Sequence, residues 1–293
     1  MASREWAGTT YGNGWMHRQL TAMLRHVDVR VFYAFTAVFV VPVCLLINRS
    51  RGVIYHYLRR RHGFSACKAA RLTYVNHCLF AQAVIDKFAM YAGRKPTTVL
   101  EGYDHYLRLE AQAPGFVQLS SHIGNYEVAG YTLTAHHKPM NAVVFAGEKA
   151  TVMAERSRML AVDNIRLIPV SDDLNHVFAI NAALAEGEVV SMPADRMFGS
   201  KRGISVNLLG AQAVLPAGPF ATASMRQLDV LAVNVMKTAT TTYTIFVTPL
   251  PYDKAAPARQ RAAQLAQAYA DELTRILRRW PTQWYNFFDF WKA

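Results

Sequence analysis

The stretch Gly115–Tyr131, Gly-Phe-Val-Gln-Leu-Ser-Ser-His-Ile-Gly-Asn-Tyr-Glu-Val-Ala-Gly-Tyr, reads as strand, turn and helix in succession. Phe116–Leu119 is apolar enough for a buried strand, Ser120–Asn125 is a turn with Gly124 as its flexible residue, and a helix is expected over Asn125–Ala135. His122 lies in the turn, at the carboxyl end of the strand, and Glu127 follows five positions later. A carboxylate about one helical turn away can hold one imidazole nitrogen and leave the other free to take a proton, as a general base requires. A polar turn with a helix-start Asn and a solvent-facing Glu has the same spacing, so spacing alone leaves both readings open.

Outward from this stretch, short apolar runs alternate with helical ones. Further strands are expected at Asn141–Phe145, Ile165–Pro169 and Val189–Met192, with helices at Lys149–Ala161 and Asp172–Ala185 between them. This alternation predicts an α/β fold, a mostly parallel central sheet flanked by helices. Ile204–Leu208, Leu228–Met236 and Tyr243–Thr248 are partly β-branched and can extend the sheet. Pro257–Arg279 is amphipathic, with Pro257 suited to the first turn, and Pro281 ends it.

Ligands of such sheets bind beyond the carboxyl ends of the strands, and two further segments put charge there. Gly147–Arg158 offers Lys149, Arg156 and Arg158 to an anionic group. Ser191–Arg202 ends a strand at Pro193 and then presents Asp195 and Arg196. A solvated helix face and a loop ion pair are the corresponding structural readings. Leu215–Ala223, Pro-Ala-Gly-Pro followed by small residues, fits tight helix packing better than an acyl channel.

Before the α/β region the texture is different. Val31–Ile47 is a long apolar run broken by Pro42, with Arg25 and Arg30 before it and Arg49, Arg51 and Arg59–Arg61 after it. Basic residues on both flanks fit a helix lying in the cytoplasmic leaflet as well as one that crosses the membrane. Ser65–Ala92 is expected to be a helix apolar over much of its circumference, in which His77 and Asp86 read best as satisfied polar positions. The expected division is an N-terminal helical, membrane-associated region over residues 1–98 and an α/β domain over 99–293.

The 293 residues are 52% hydrophobic and 18% charged, with a formal net charge of +12. That charge favours an acidic partner: anionic lipid, nucleic acid or an acidic carrier protein. The arginines flank an apolar run rather than form a nucleic-acid motif, so nucleic acid is not expected as a partner. Cys44, Cys67 and Cys78 have no metal-ligand spacing and read as reduced and structural, with Cys67 and Cys78, in one helical run, as packing residues. There is no Gly-x-Ser-x-Gly elbow, no Gly-x-Gly-x-x-Gly fingerprint, no Gly-rich phosphate loop and no zinc spacing. No metal or cofactor is expected.

Ser-Ser-His122-Ile-Gly-Asn-Tyr-Glu127 resembles the His-x4-Asp/Glu block of the lysophospholipid acyltransferase superfamily, and its Gly-Asn-Tyr-Glu wording resembles the lipid A late acyltransferase branch. The closing Pro281-Thr-Gln-Trp284-Tyr285-Asn-Phe-Phe-Asp-Phe-Trp291-Lys292 is similar to the end of that branch. The resemblance covers roughly residues 110–293 and implies a glycerol-phosphate acyltransferase-like fold. It implies transfer of a fatty acyl chain from acyl carrier protein or acyl-coenzyme A to a hydroxyl of a lipid or glycolipid, on the cytoplasmic face of a bacterial inner membrane. His122 would be the base and Glu127 its orienter. Gly124, Asn125, Arg156, Asp195 and Arg196 would meet substrate, with backbone N–H groups at the Asn125 helix start steadying the oxyanion. Where the branch commonly has Asp-Gln-Asp ahead of a Gly, this chain has Asp195-Arg196-Met197-Phe198-Gly199, similar to a subgroup of acyltransferases associated with aryl polyene lipids. The departure concerns the acceptor more than the chemistry. The alternative is a lipid-binding protein of the same fold without catalysis.

Overall fold

β2 (Phe116–Ser120) is buried on both faces over its first four residues, as expected of a strand covered by helices on either side. The computed structural model to which it belongs describes residues 14–48, 50–130, 132–133, 137–145, 164–170, 174–197 and 202–291. The other strands are β1 (Thr97–Glu101), β3 (Met140–Phe145), β4 (Ile165–Val170), β5 (Val189–Pro193), β6 (Gly203–Leu208), β7 (Ala211–Pro216), β8 (Val230–Ala239) and β9 (Thr242–Pro249). Seven of them form one sheet in the order β1-β9-β8-β2-β5-β3-β4. All neighbouring pairs are parallel except β8 with β9. The fold is therefore α/β with a mostly parallel sheet, as the alternation of apolar and helical runs predicts.

β6 corrects one expectation. Ile204–Leu208 does not extend the main sheet; it pairs antiparallel with β7 in a separate hairpin. Leu209 and Gly210 join the two strands with φ of 52° and 76°. Two consecutive left-handed residues are the turn that matches the twist of a tight hairpin, so the chain reverses on itself before it can reach the sheet.

The helices are α1 (Gly14–Leu24), α2 (Val29–Phe35), α3 (Val41–Ile47), α4 (Arg51–His62), α5 (Ala66–Tyr91), α6 (Tyr103–Glu110), α7 (Tyr126–Gly130), α8 (Asn175–Ala185), α9 (Ala217–Met225) and α10 (Ala258–Arg279). Residues of α4, α8, α9 and α10 share one hydrophobic core with one face of the sheet, and residues of α6, α7 and the end of α5 share a second with the other face. The small residues of α9 pack closely on α10, where Phe220 meets Tyr269 with ring centroids 5.6 Å apart. α7 is shorter than the expected Asn125–Ala135, ending at Gly130. The expected helix Lys149–Ala161 lies outside the described residues. Cys67 is exposed rather than packed in the core.

α2 and α3 are joined through a π-helical segment at Thr36–Val40, and together they form a 19-residue apolar helix, Val29–Ile47, long and apolar enough to cross a membrane. Pro42 has no N–H to offer the preceding turn, and the chain accommodates it with a wide turn in which the Val41 N–H reaches back to the Thr36 carbonyl. Tyr74 of α5 donates to the Ala37 carbonyl in that segment at 2.8 Å. Tyr33 and Val41 are buried, whereas Val31, Phe35, Val38, Phe39, Val43, Leu46 and Ile47 are exposed. The run is thus not a buried core helix.

Gly124 cannot be replaced without strain. Its φ is 63°, and a Cβ there would lie 1.8 Å from the Val235 carbonyl oxygen. Gly124→Ala should lower stability by at least about 2 kcal/mol, read as a reduced midpoint in thermal unfolding of the detergent-solubilised protein. An unchanged midpoint would mean that the turn is not built as described.

Candidate active site

The site is a consequence of strand register. β2 pairs with β5 in parallel, Ser120 opposite Pro193, and the Ala194 N–H continues the ladder onto the Ser120 carbonyl at 3.0 Å. Two residues further along each strand, His122 and Asp195 come side by side. The connection after β2 runs through α7 on one face of the sheet, and the one after β5 runs through β6, β7 and α9 on the other. Neighbouring strands whose chains leave in opposite directions open a crevice at their carboxyl ends, the usual ligand position in such sheets.

Asp195 is fully buried and grips His122 with both oxygens. Oδ1 accepts from the imidazole Nδ1 at 2.8 Å, and Oδ2 accepts from the His122 backbone N–H at 2.9 Å. Burial pushes the Asp195 carboxyl up, but the opposing charge and hydrogen bonds of His122, helped by Arg196, outweigh it and hold the group below its ordinary value. About a quarter of the His122 side chain is exposed, so the ring is fixed at one nitrogen and open to the crevice. Tyr126 meets it edge-on, with ring centroids 5.8 Å apart.

This corrects the role expected of Glu127. The carboxylate at Nδ1 is that of Asp195, which was expected to meet substrate. Glu127 is buried in α7, and its Oε1 pairs with Lys87 of α5 at 2.8 Å. The five-residue spacing sets Glu127 one helical turn beyond His122, whereas the parallel neighbour strand delivers a carboxylate directly against the ring. Glu127 and Tyr126 border a small cavity on the α7 face of the sheet, together with Gln118, Ser120 and Ser191.

The backbone of the turn also departs from expectation. The Gly124 N–H donates to the Gln283 carbonyl at 2.7 Å, and the Asn125 N–H donates to the Val235 carbonyl at 2.9 Å. Both residues were expected to meet substrate, with the N–H at the Asn125 helix start a candidate to steady an oxyanion, and both N–H groups are already engaged inside the fold. The Asn125 side chain is buried and reaches the Ala83 carbonyl at 3.4 Å and the Tyr243 hydroxyl at 3.5 Å. Gly124 and Asn125 therefore shape the turn.

The closing aromatic segment, which already holds Gly124 through Gln283, also holds the residues before it. Ile123 bridges Trp284, and the Tyr285 N–H donates to the His122 carbonyl at 3.3 Å. Asn76 of α5 donates to the carbonyls of Thr282 and Trp284 at 2.9 and 3.0 Å. Trp284 is 2% exposed and packs edge-on against Tyr57, Phe290 and Trp291. Arg196 donates to the Tyr285 carbonyl at 3.0 Å and lies 5.7 Å from the Phe288 ring centre. Burial lowers the Arg196 pKa, with Asp195 and then Tyr126 opposing. Arg156 lies outside the described residues. Among the described residues no group of three or more His, Cys, Asp and Glu side chains is arranged to hold a metal ion.

The site is thus a histidine held by a buried carboxylate at the carboxyl edge of an α/β sheet and clasped by a Pro-x-Gln-Trp segment. Residues 72–293 match the family model of bacterial lipid A biosynthesis acyltransferases. The chain belongs to this family. It is accordingly an acyltransferase, and its match begins within α5 and includes the whole sheet, the His122 turn and the closing aromatic segment. A separate search among curated proteins gives no match.

Sequence reasoning selected His122, Asp195 and Arg196, and the structure brings these together. It missed Lys87, Tyr243 and Gln283, each remote in sequence from the turn it supports. For Gln283 the signal was present in Pro281-Thr-Gln-Trp284, read as a family signature without a contact assigned to it.

The Asp195 shift fixes a pH dependence. A carboxyl held below its unfolded value contributes stability that is present above the ordinary value of 3.8 and lost as pH falls through the lowered folded value. The melting-temperature difference between the protein and Asp195→Asn should therefore persist from neutral pH down to about 4 and narrow below it. A difference that vanishes well above that pH would show that Asp195 is not held ionised in the fold.

Proposed function

We propose that this acyltransferase moves a fatty acyl group from a thioester, on acyl carrier protein or coenzyme A, to a hydroxyl of a lipid or glycolipid acceptor at a membrane surface. The observation that supports it most is the His122 Nδ1–Asp195 contact at 2.8 Å, with Asp195 fully buried and the ring open to the crevice. With Nδ1–H donated to Asp195, the lone pair is on Nε2. Nε2 removes the acceptor hydroxyl proton while the oxygen attacks the thioester carbonyl. Asp195 stabilises the imidazolium that results. The tetrahedral intermediate collapses, the carbon–sulfur bond breaks, and the thiolate takes the proton back from Nε2. Nothing is oxidised or reduced, and no acyl-enzyme forms.

Arg196, beside Asp195 and Tyr126, supplies a cation next to the reacting carbonyl or to a phosphate of the donor or acceptor. Glu127 borders the small cavity and pairs with Lys87 of α5, so it ties α7 to α5 rather than orienting His122. Arg196 and Met197 replace the amide and second carboxylate expected of the branch, which favours an acceptor other than a lipid A precursor. The exposed apolar face of Val29–Ile47 and the basic residues beyond it favour the cytoplasmic face of a bacterial inner membrane.

The test is acyl transfer from labelled acyl-acyl carrier protein to a host lipid extract, with products identified by mass spectrometry. His122→Ala should abolish transfer. Asp195→Asn should lower kcat by roughly 100- to 10,000-fold with KM little changed, and Glu127→Gln should retain more activity than Asp195→Asn. Undiminished turnover by folded His122→Ala would end the proposal.

A further inference from the structure

Among the described residues, the ion pair most deeply buried at both ends is not in the reacting crevice. It is Lys237 with Asp86, Nζ to Oδ2 at 2.8 Å, with side-chain exposures of 5% and 7%. The proposed chemistry uses neither group. Asp86 lies in α5 and Lys237 near the end of β8. Asp86 also accepts from two tyrosine hydroxyls, Tyr33 on Oδ1 and Tyr243 on Oδ2. Lys237 donates to the Tyr33 hydroxyl at 2.9 Å, and its ammonium lies 4.2 Å from the Tyr33 ring centre and 5.3 Å from that of Tyr243. Three charged or polar side chains thus converge on Asp86 from the apolar helix, from β8 and from β9.

Taking such a pair out of water is expensive, and the cost is offset only when the remaining donors and acceptors are also engaged. The network meets that condition only with Tyr33 in place. On its other side it meets the catalytic turn in two places. The Tyr243 hydroxyl accepts from the Asn125 side chain at 3.5 Å. The Lys237 backbone is held at both N–H and C=O by the Gln283 side chain, each at 2.8 Å, and the Gln283 carbonyl in turn accepts from the Gly124 N–H at 2.7 Å. Gly124 and Asn125 are two and three residues from His122.

We propose that Asp86, Lys237 and Tyr243 are positioning residues for the His122 turn, and that Tyr33 makes the seating of the apolar helix on α5 part of that positioning. Acyl transfer is then coupled to the state of the membrane-facing helix. A helix displaced from α5 leaves a buried ion pair short of a partner and loosens the turn, so the base is aligned only when Tyr33 is docked. The catalytic consequence rests on His122 being the base proposed above; the mechanical link does not.

The experiment uses the full chain in lipid nanodiscs. Tyr33→Phe removes one hydroxyl and keeps the ring, and Tyr243→Phe does the same on the other side of Asp86. Asp86→Asn is the stronger variant, and the two tyrosine variants keep the test valid if it fails to fold. Hydrogen exchange by mass spectrometry reads the peptide spanning residues 120–128. Transfer from labelled acyl-acyl carrier protein to host lipid extract reads kcat and KM. Tyr33→Phe should raise exchange in the 120–128 peptide and lower kcat about tenfold, with KM for the carrier-bound donor and the membrane-bound fraction unchanged. Unchanged exchange in that peptide in both tyrosine variants would overturn the proposal. Raised exchange in a wild-type background that transfers no acyl group would retain the mechanical link and count against the proposed function instead.

Discussion

Parallel pairing of β2 with β5, with Ser120 opposite Pro193, is the constraint on which the site depends. A parallel ladder advances both strands together, so residues equally far beyond the last pair meet at the same level. Here those residues are an imidazole and a carboxylate. The chain must then leave β2 sharply enough to keep His122 at the edge, and Gly124 with φ of 63° makes that departure where any side chain would strike Val235. Val235 and Gln283 accept the N–H groups that the turn exposes, so the turn is fixed from β8 on one side and from the closing segment on the other.

Two buried aspartates organise the electrostatics above the sheet. Asp195 is paired to one ionisable ring and to a backbone N–H, and stays below its ordinary value despite full burial. Asp86 is paired to a lysine and to two tyrosines. Burial pulls the Lys237 pKa down while Asp86 opposes the shift, and burial followed by Asp86 drives the Tyr243 pKa well above its usual value. Hydrogen bonds to ionised groups contribute about 1.5–3 kcal/mol each. A buried charge left without its partner costs about 3–5 kcal/mol, so both clusters hold their elements in place more through what their loss would cost than through net attraction. α5 links the two: it supplies Asp86 to the network, Asn76 to the backbone of the closing segment and Lys87 to Glu127.

Much of the fold was legible because its strands are short apolar runs separated by helical ones, and that pattern survives without any knowledge of tertiary contacts. β6 was misplaced because β-branched content marks a strand without saying which sheet it joins; the left-handed Leu209–Gly210 turn decided that. In the site, His122 was legible from its position at a strand end. Its partner was misassigned to Glu127 because local spacing was visible and strand order was not. Asp195 lies 73 residues away and becomes its neighbour only once β5 is placed beside β2. Asp86 read as a satisfied polar position, and it is one, but the identity of its partners, Tyr33, Lys237 and Tyr243, depends on how α2, α5, β8 and β9 are stacked.

The central claim is that Asp195, delivered by the neighbouring strand, holds Nδ1 of His122. The most direct measurement is a proton–nitrogen NMR spectrum of the histidine-labelled protein in lipid nanodiscs. The account predicts a low-field Nδ1 proton of His122, protected from solvent, that survives in Glu127→Gln and disappears in Asp195→Asn. A proton that survives in Asp195→Asn and disappears in Glu127→Gln would contradict it.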